Sequence, residues 1–213
     1  MVSSRSFRVL TASGGMIGVL MLVVSFLVNP GPPTDATPAQ LLAFAQANYG
    51  SILWGAWLQA VGPVLIVAFA FAIVSEAGLL NSFSGIMTVF GGAVLTMVSL
   101  TEIAFYISAV GDPSSAGTVS LDLIHSVQHL YFMVGAPALL LPLGAVVVAS
   151  GRMPKVLGFS AMALGASFAV VGVAFLFDFV LPTYVTAFAG IQVVWWLAAG
   201  TVFVSRPKGT PGS

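Results

Sequence analysis

The sequence predicts an all-α polytopic transmembrane bundle of six helices, with both termini cytoplasmic and a short outer surface helix after the first span. Three observations predict it. Apolar residues make up 59% of the 213 positions and charged residues only 6%, with a mean hydropathy of +1.09, where a soluble domain carries about a quarter of charged side chains. The apolar residues gather into six runs, roughly 9–28, 52–74, 86–110, 123–149, 156–181 and 184–204. Each run can cross a hydrocarbon core of about 30 Å as a helix rising about 1.5 Å per residue. Finally, alternating these spans across a membrane puts all six Lys and Arg residues on one side.

The first run follows Arg5 and Arg8, and a cleaved secretory signal is its competing reading. The run is too long for an ordinary signal core, and no small-residue cleavage site precedes NPGPP. The basic residues then set the orientation: Arg5 and Arg8 precede the first span, Arg152 and Lys155 join the fourth and fifth, and Arg206 and Lys208 follow the sixth. Basic loops stay cytoplasmic, so the loops bearing Asp35 and Asp112 face outward. The chain reads as one transmembrane domain, 1–213.

In the longest outer loop, Thr37 before Pro38 has the cap and first-turn chemistry of a helix start, so a short helix with Leu41, Leu42 and Phe44 is expected there. The second and fourth spans contain WLQAVGP and YFMVGAP, and their prolines, Pro63 and Pro137, should kink them near mid-membrane. In the fifth span Gly158, Gly165 and Gly172 recur every seven residues, and Gly14 with Gly18 repeats the small-residue theme in the first. Such glycines let helix backbones approach closely. Tyr49, Trp54 and Trp57 fit an outer aromatic belt, whereas Trp195 and Trp196 lie deeper, where a ring should pack into a groove.

Glu102, inside the third span in SLTEIAFY, is the least expected residue. A carboxylate at that depth is costly unless protonated, hydrogen-bonded or turned inward. The stretch LDLIHSVQHLYF holds both histidines of the chain, and Asp122, His125 and His129 fall on one stripe of a helix. His129 lies at a depth similar to Glu102, so the two are expected in contact. The simplest reading is a first-turn carboxylate, an interfacial His125 and one hydrogen bond from His129 to Glu102. The alternatives are a protonatable pair, or a metal site in which His125, His129 and Glu102 hold a divalent ion such as zinc. Two histidines four apart on one helix cannot supply opposite axial ligands to one haem. Gln59, Tyr106, Gln128, Asp178 and Gln192 belong to the same half of the membrane and could complete a polar pocket.

The chain has no cysteine, which excludes disulfides and thiolate chemistry. It has no phosphate loop, nucleophile elbow, HExxH motif or basic nucleic-acid surface. With the topology in place, FRVLTASGGMIGVLMLVVSFLVNPGPP, TPAQLLAFAQANYGSILWGAWLQAVGPVLIVAFAFAI and SGRMPKVLGFSAMALG resemble small bacterial six-helix membrane proteins of a domain-of-unknown-function family. That resemblance implies a helical bundle in a bacterial cytoplasmic membrane and brings no catalytic residues.

The leading expectation is therefore a non-enzymatic membrane protein, structural, accessory or ligand-binding, without a cofactor. Its expected partners are the lipid bilayer, a homo-oligomeric or membrane-protein partner and an unknown small molecule, with no nucleic acid. A small transporter or proton-coupled carrier is the alternative, motivated by Glu102, the histidines and the kinked spans, and a metal-dependent membrane enzyme comes third.

Overall fold

The computed structural model describes residues 5–29, 31–33, 36–111, 115–177 and 182–206, without the side chains of 115–118, 122, 125 and 182–186. Among the described residues all regular structure is helical: α1 (Arg5–Val28), α2 (Pro38–Ala47), α3 (Tyr49–Ala77), α4 (Phe83–Gly111), α5 (Ser115–Leu130), a π-helical turn (Tyr131–Gly135), α6 (Ala136–Ser150), α7 (Lys155–Leu176) and α8 (Pro182–Ser205). Six segments are long and apolar enough to cross a membrane; α5, the π turn and α6 together make one of them. The protein is a multi-pass helical membrane protein. The fifth run, expected to reach Leu181, is helical to Leu176, and the residues just beyond Phe177 lie outside those described.

The spans form a ring in chain order, α1 against α3, α3 against α4, α4 against α5 and α6, α6 against α7, α7 against α8, and α8 back against α1. α3 also meets α6 across the middle. α1 starts and α8 ends together, since Arg8 Nη1 donates to the Arg206 carbonyl at 3.2 Å. The turn between α6 and α7, which carries Arg152, lies at this arginine end too, and Gly78 and Gly151 finish α3 and α6 there at positive φ, 71° and 59°. A residue with a Cβ is strained in that left-handed region, which is why glycine closes both helices.

At the opposite end, the expected surface helix is α2. Thr37 and Gln40 exchange side-chain and backbone hydrogen bonds in a capping box, and Pro38 occupies the first turn. Leu41 and Ala45 are buried in a cluster with Ile52, Tyr106, Ala109, Leu121 and Ile124. α2 is thus packed on the bundle, where it covers one side of Tyr106. The larger core lies between the ring members, with the Phe69 ring 6.1 Å from Trp196 and 5.4 Å from Phe203. As expected, the two adjacent tryptophans are buried, Trp195 donating to the Leu157 carbonyl at 3.0 Å, while Trp54 and Trp57 are exposed.

Lipid tails solvate large apolar side chains as well as protein does, so van der Waals contact at small residues decides which helices pair. The α7 glycines behave as their spacing predicts. A Cβ on Gly158 would lie 2.6 Å from Val148, one on Gly165 3.0 Å from Leu141, and one on Gly172 2.6 Å from the Met133 backbone nitrogen. In α1 the crossing uses Gly18 against Gly62, each within 2.8 Å of the other's carbonyl if given a Cβ, and Gly15 against Phe69. Gly14 faces nothing closer than Leu65 at 3.9 Å, so only one of the two expected α1 glycines makes the close contact.

The closest approach between two spans, among the described residues, is at Gly91 in α4, where a Cβ would sit 1.9 Å from the Ala138 carbonyl oxygen. Ala138 lies four residues before Pro142, inside α6. Proline has no N–H to give that carbonyl, and the smallest residue of a neighbouring helix packs against it. All three nearest atoms are backbone atoms of Ala138 and Leu139 and cannot rotate away. Gly91→Ala should therefore cost about 1–3 kcal/mol, seen as a lower thermal midpoint in detergent. Gly14→Ala should leave the midpoint unchanged or raise it slightly. An unchanged midpoint for Gly91→Ala would contradict this packing.

Candidate functional site: a buried carboxylate between three helices

Glu102 lies about 14 Å along α4 from Gly111 at 1.5 Å per residue, and is 6% exposed. Its two oxygens are held by neutral amides from the helices on either side. Gln59 Nε2 of α3 donates to Oε2 at 2.5 Å, and Gln128 Nε2 of α5 donates to Oε1 at 3.0 Å. A carboxylate taking one N–H on each oxygen avoids the cost of an unsatisfied buried acceptor, and it joins three helices through one side chain.

The local sequence explains why α3 presents Gln59 there. Pro63 is buried inside α3, and its missing N–H would have donated to the carbonyl of Gln59, four residues earlier. Ser99 Oγ of α4 donates to that carbonyl at 3.1 Å. Ser99 is three residues before Glu102 and on the same helix face. Residue 59 is therefore gripped by α4 twice, through its backbone and through its side chain.

One turn beyond Glu102, Tyr106 is 3% exposed, and the Asn29 side chain lies near its hydroxyl. Asn29 follows the last turn of α1 and fits against Gly55 of α3, where a Cβ would lie 2.4 Å from its own. Its Oδ1 is buried without a partner among the described residues. Gly55, Gln59 and Pro63 thus form one stripe of α3 at helical spacing.

Of the remaining expected residues, the structure describes His129 and Gln192. His129, expected against Glu102, has its ring on Phe175 of α7, centroids 4.3 Å apart. Neighbouring helix positions point about 100° apart, so a helix that turns Gln128 to α4 turns His129 toward another neighbour. Gln192 of α8 accepts from the Tyr131 hydroxyl at 2.7 Å. Asp178 and the side chains of Asp122 and His125 lie outside the described residues. The metal set rests partly on His125; among the described residues no three His, Cys, Asp or Glu side chains come together.

Asn29, Ser99 and Tyr131 were not in the expected set. Ser99 had a signal in the sequence: Pro63 leaves the Gln59 carbonyl without its donor, and a hydroxyl one turn from Glu102 can supply one.

Among the grooves on the described surface are one of about 490 Å³ along Met87, Met133, Pro137 and Leu141 and one of about 300 Å³ along Val94, Met97, Thr101 and Leu130. Both are open and apolar, and none of Glu102, Gln59 and Gln128 lines either. The cluster can hold helices together or hold a proton on its carboxylate. It offers a substrate no approach through these grooves.

Fold and site define a multi-pass helical membrane protein with a carboxylate–amide cluster enclosed between three spans. Comparison with protein-family models, with curated proteins and with solved structures gives no match.

The Ser99 bond has a thermodynamic signature. Ser99→Ala should cost about 1 kcal/mol in the natural chain, by leaving the Gln59 carbonyl without a donor. In a Pro63→Ala background the loss should be much smaller, because residue 63 then has an N–H for that carbonyl. Equal losses in both backgrounds, measured by reversible unfolding in detergent, would disprove the compensation.

Proposed function

We propose that the chain is a non-enzymatic protein of the bacterial cytoplasmic membrane, with both termini on the cytoplasmic side, acting as a structural, accessory or ligand-binding component. The orientation rests on charge: Arg5, Arg8, Arg152, Lys155 and Arg206 lie at the ends of spans or in a turn on one side, and basic residues near span ends gather on the cytoplasmic side. The resemblance to small bacterial six-helix membrane proteins supports the compartment.

The functional reading rests on one observation, the enclosure of Glu102. A carrier's carboxylate must exchange protons or cargo with water on each side in turn. Here both oxygens are occupied by amides that belong to the protein. Toward the arginine end the core is filled by Phe69, Leu139, Leu140, Leu143, Trp196 and Phe203, each less than 2% exposed. That is a packed interior, and it favours a scaffold over a conduit.

A proton-coupled carrier is the second reading, favoured by one feature. Gln59 lies on a helix interrupted by Pro63, and Gln128 lies just before the π turn that precedes Pro137. Such discontinuities let helix segments move.

Vesicles with an entrapped pH-sensitive dye and an imposed proton gradient separate the two. Reconstituted protein should dissipate the gradient no faster than protein-free vesicles, with Glu102→Gln behaving alike. A protein-dependent flux abolished by Glu102→Gln would replace this reading with the carrier.

A further inference from the structure

At the arginine end two guanidinium groups, one buried and one half-buried, keep buried nitrogens that have no acceptor among the described residues. Arg8, in the first turn of α1, is only 6% exposed; its Nη1 reaches the Arg206 carbonyl, but its Nε is buried with no hydrogen-bond partner. Arg206, directly after α8, sits over the Phe203 ring with its Cζ 5.8 Å from the centroid, and its Nε and Nη2 are also buried without partners. Three N–H-bearing atoms of permanently charged groups are thus withdrawn from water with nothing among the described residues to donate to.

The described neighbouring charges relieve this only in part. Burial pushes the Arg206 pKa down, Glu76 at the end of α3 raises it, and the like charges of Arg152 and Arg8 push it down again. Among the described residues that act on Arg206, two further guanidinium groups outnumber one carboxylate. A buried carboxylate such as Glu102 can take up a proton and become neutral, whereas a guanidinium cannot shed one in a protein. What remains is an anion. The planar fork of arginine matches tetrahedral phosphate oxygens, and the end of a membrane-crossing bundle is the depth at which headgroup phosphates lie.

We propose that Arg8, Arg152 and Arg206 form a phosphate-binding site at the arginine end of the bundle, taking the phosphate of an anionic lipid headgroup or free phosphate. Arg8 and Arg206 tie α1 to α8 and form its fixed wall. Exposed Arg152 brings in the turn between α6 and α7, so an occupied site would brace the point where the ring of helices closes. This site is independent of the Glu102 cluster and of any transport activity.

The test is thermal unfolding of the full chain in a neutral detergent, titrated separately with phosphatidylglycerol, phosphatidylcholine, oleate and sodium phosphate at constant ionic strength. A saturable rise in midpoint with phosphatidylglycerol, absent with phosphatidylcholine and oleate, supports the site with a lipid headgroup as its ligand. A rise with sodium phosphate alone supports it with free phosphate as its ligand. Each of Arg8→Gln, Arg206→Gln and Arg152→Gln should weaken the titration roughly fivefold. Arg152→Gln changes an exposed side chain and keeps the test decisive where the buried variants do not fold. The proposal is overturned by no rise with either phosphate source, by an equal rise with phosphatidylcholine or oleate, or by a rise that Arg152→Gln leaves unchanged.

Discussion

A polar group inside hydrocarbon has no water to bond, and in this protein the placement of amides, hydroxyls and prolines follows from that condition. Most hydroxyls meet it cheaply, by donating to a carbonyl of the preceding turn: Thr88 to Ser84, Thr96 to Gly92, Thr101 to Met97 and Thr201 to Leu197. Ser99 donates across to α3 instead, because Pro63 has left a carbonyl there without its donor. Glu102 needs two donors and takes them from two helices. Satisfying these groups is what fixes α3, α4 and α5 in register, since the apolar surfaces alone would tolerate many rotations.

Glycine and proline work together in the same way. Pro142 frees the Ala138 carbonyl, and Gly91 brings the α4 backbone against it. The π turn ahead of Pro137 offers its Met133 and Phe132 backbone to Gly172 of α7. Wherever a helix interrupts its own ladder, a neighbour supplies either a hydroxyl or a residue without a side chain. The interruptions are therefore contact points, which is why they coexist with a tightly packed interior.

The parts legible in the sequence are those set by one segment at a time. Runs of about 20 apolar residues marked the spans, Thr37 and Pro38 marked the start of α2, and the seven-residue glycine period marked the packing face of α7. What the sequence did not reveal is which residues of neighbouring helices meet. Glu102 was recognisable as a residue needing a partner, yet choosing between Gln128 and His129 requires the rotation of α5, a difference of about 100°. The π turn adds to this: an extra residue within one turn shifts the phase of everything after it relative to an ideal helix. Orphan carbonyls four residues before a buried proline are readable, and they would have pointed to Ser99.

The central claim is that Glu102 binds α3 and α5 to α4 through Gln59 and Gln128, and a double-mutant cycle between Glu102→Leu and Gln128→Leu addresses it most directly. Unfolding free energies in detergent should show a favourable coupling of roughly 1 kcal/mol, with Gln128→Leu costing stability when Glu102 is present and little or nothing once it is replaced. Strictly additive losses would mean that the two side chains do not meet, and the carboxylate would then have to be satisfied in some other way.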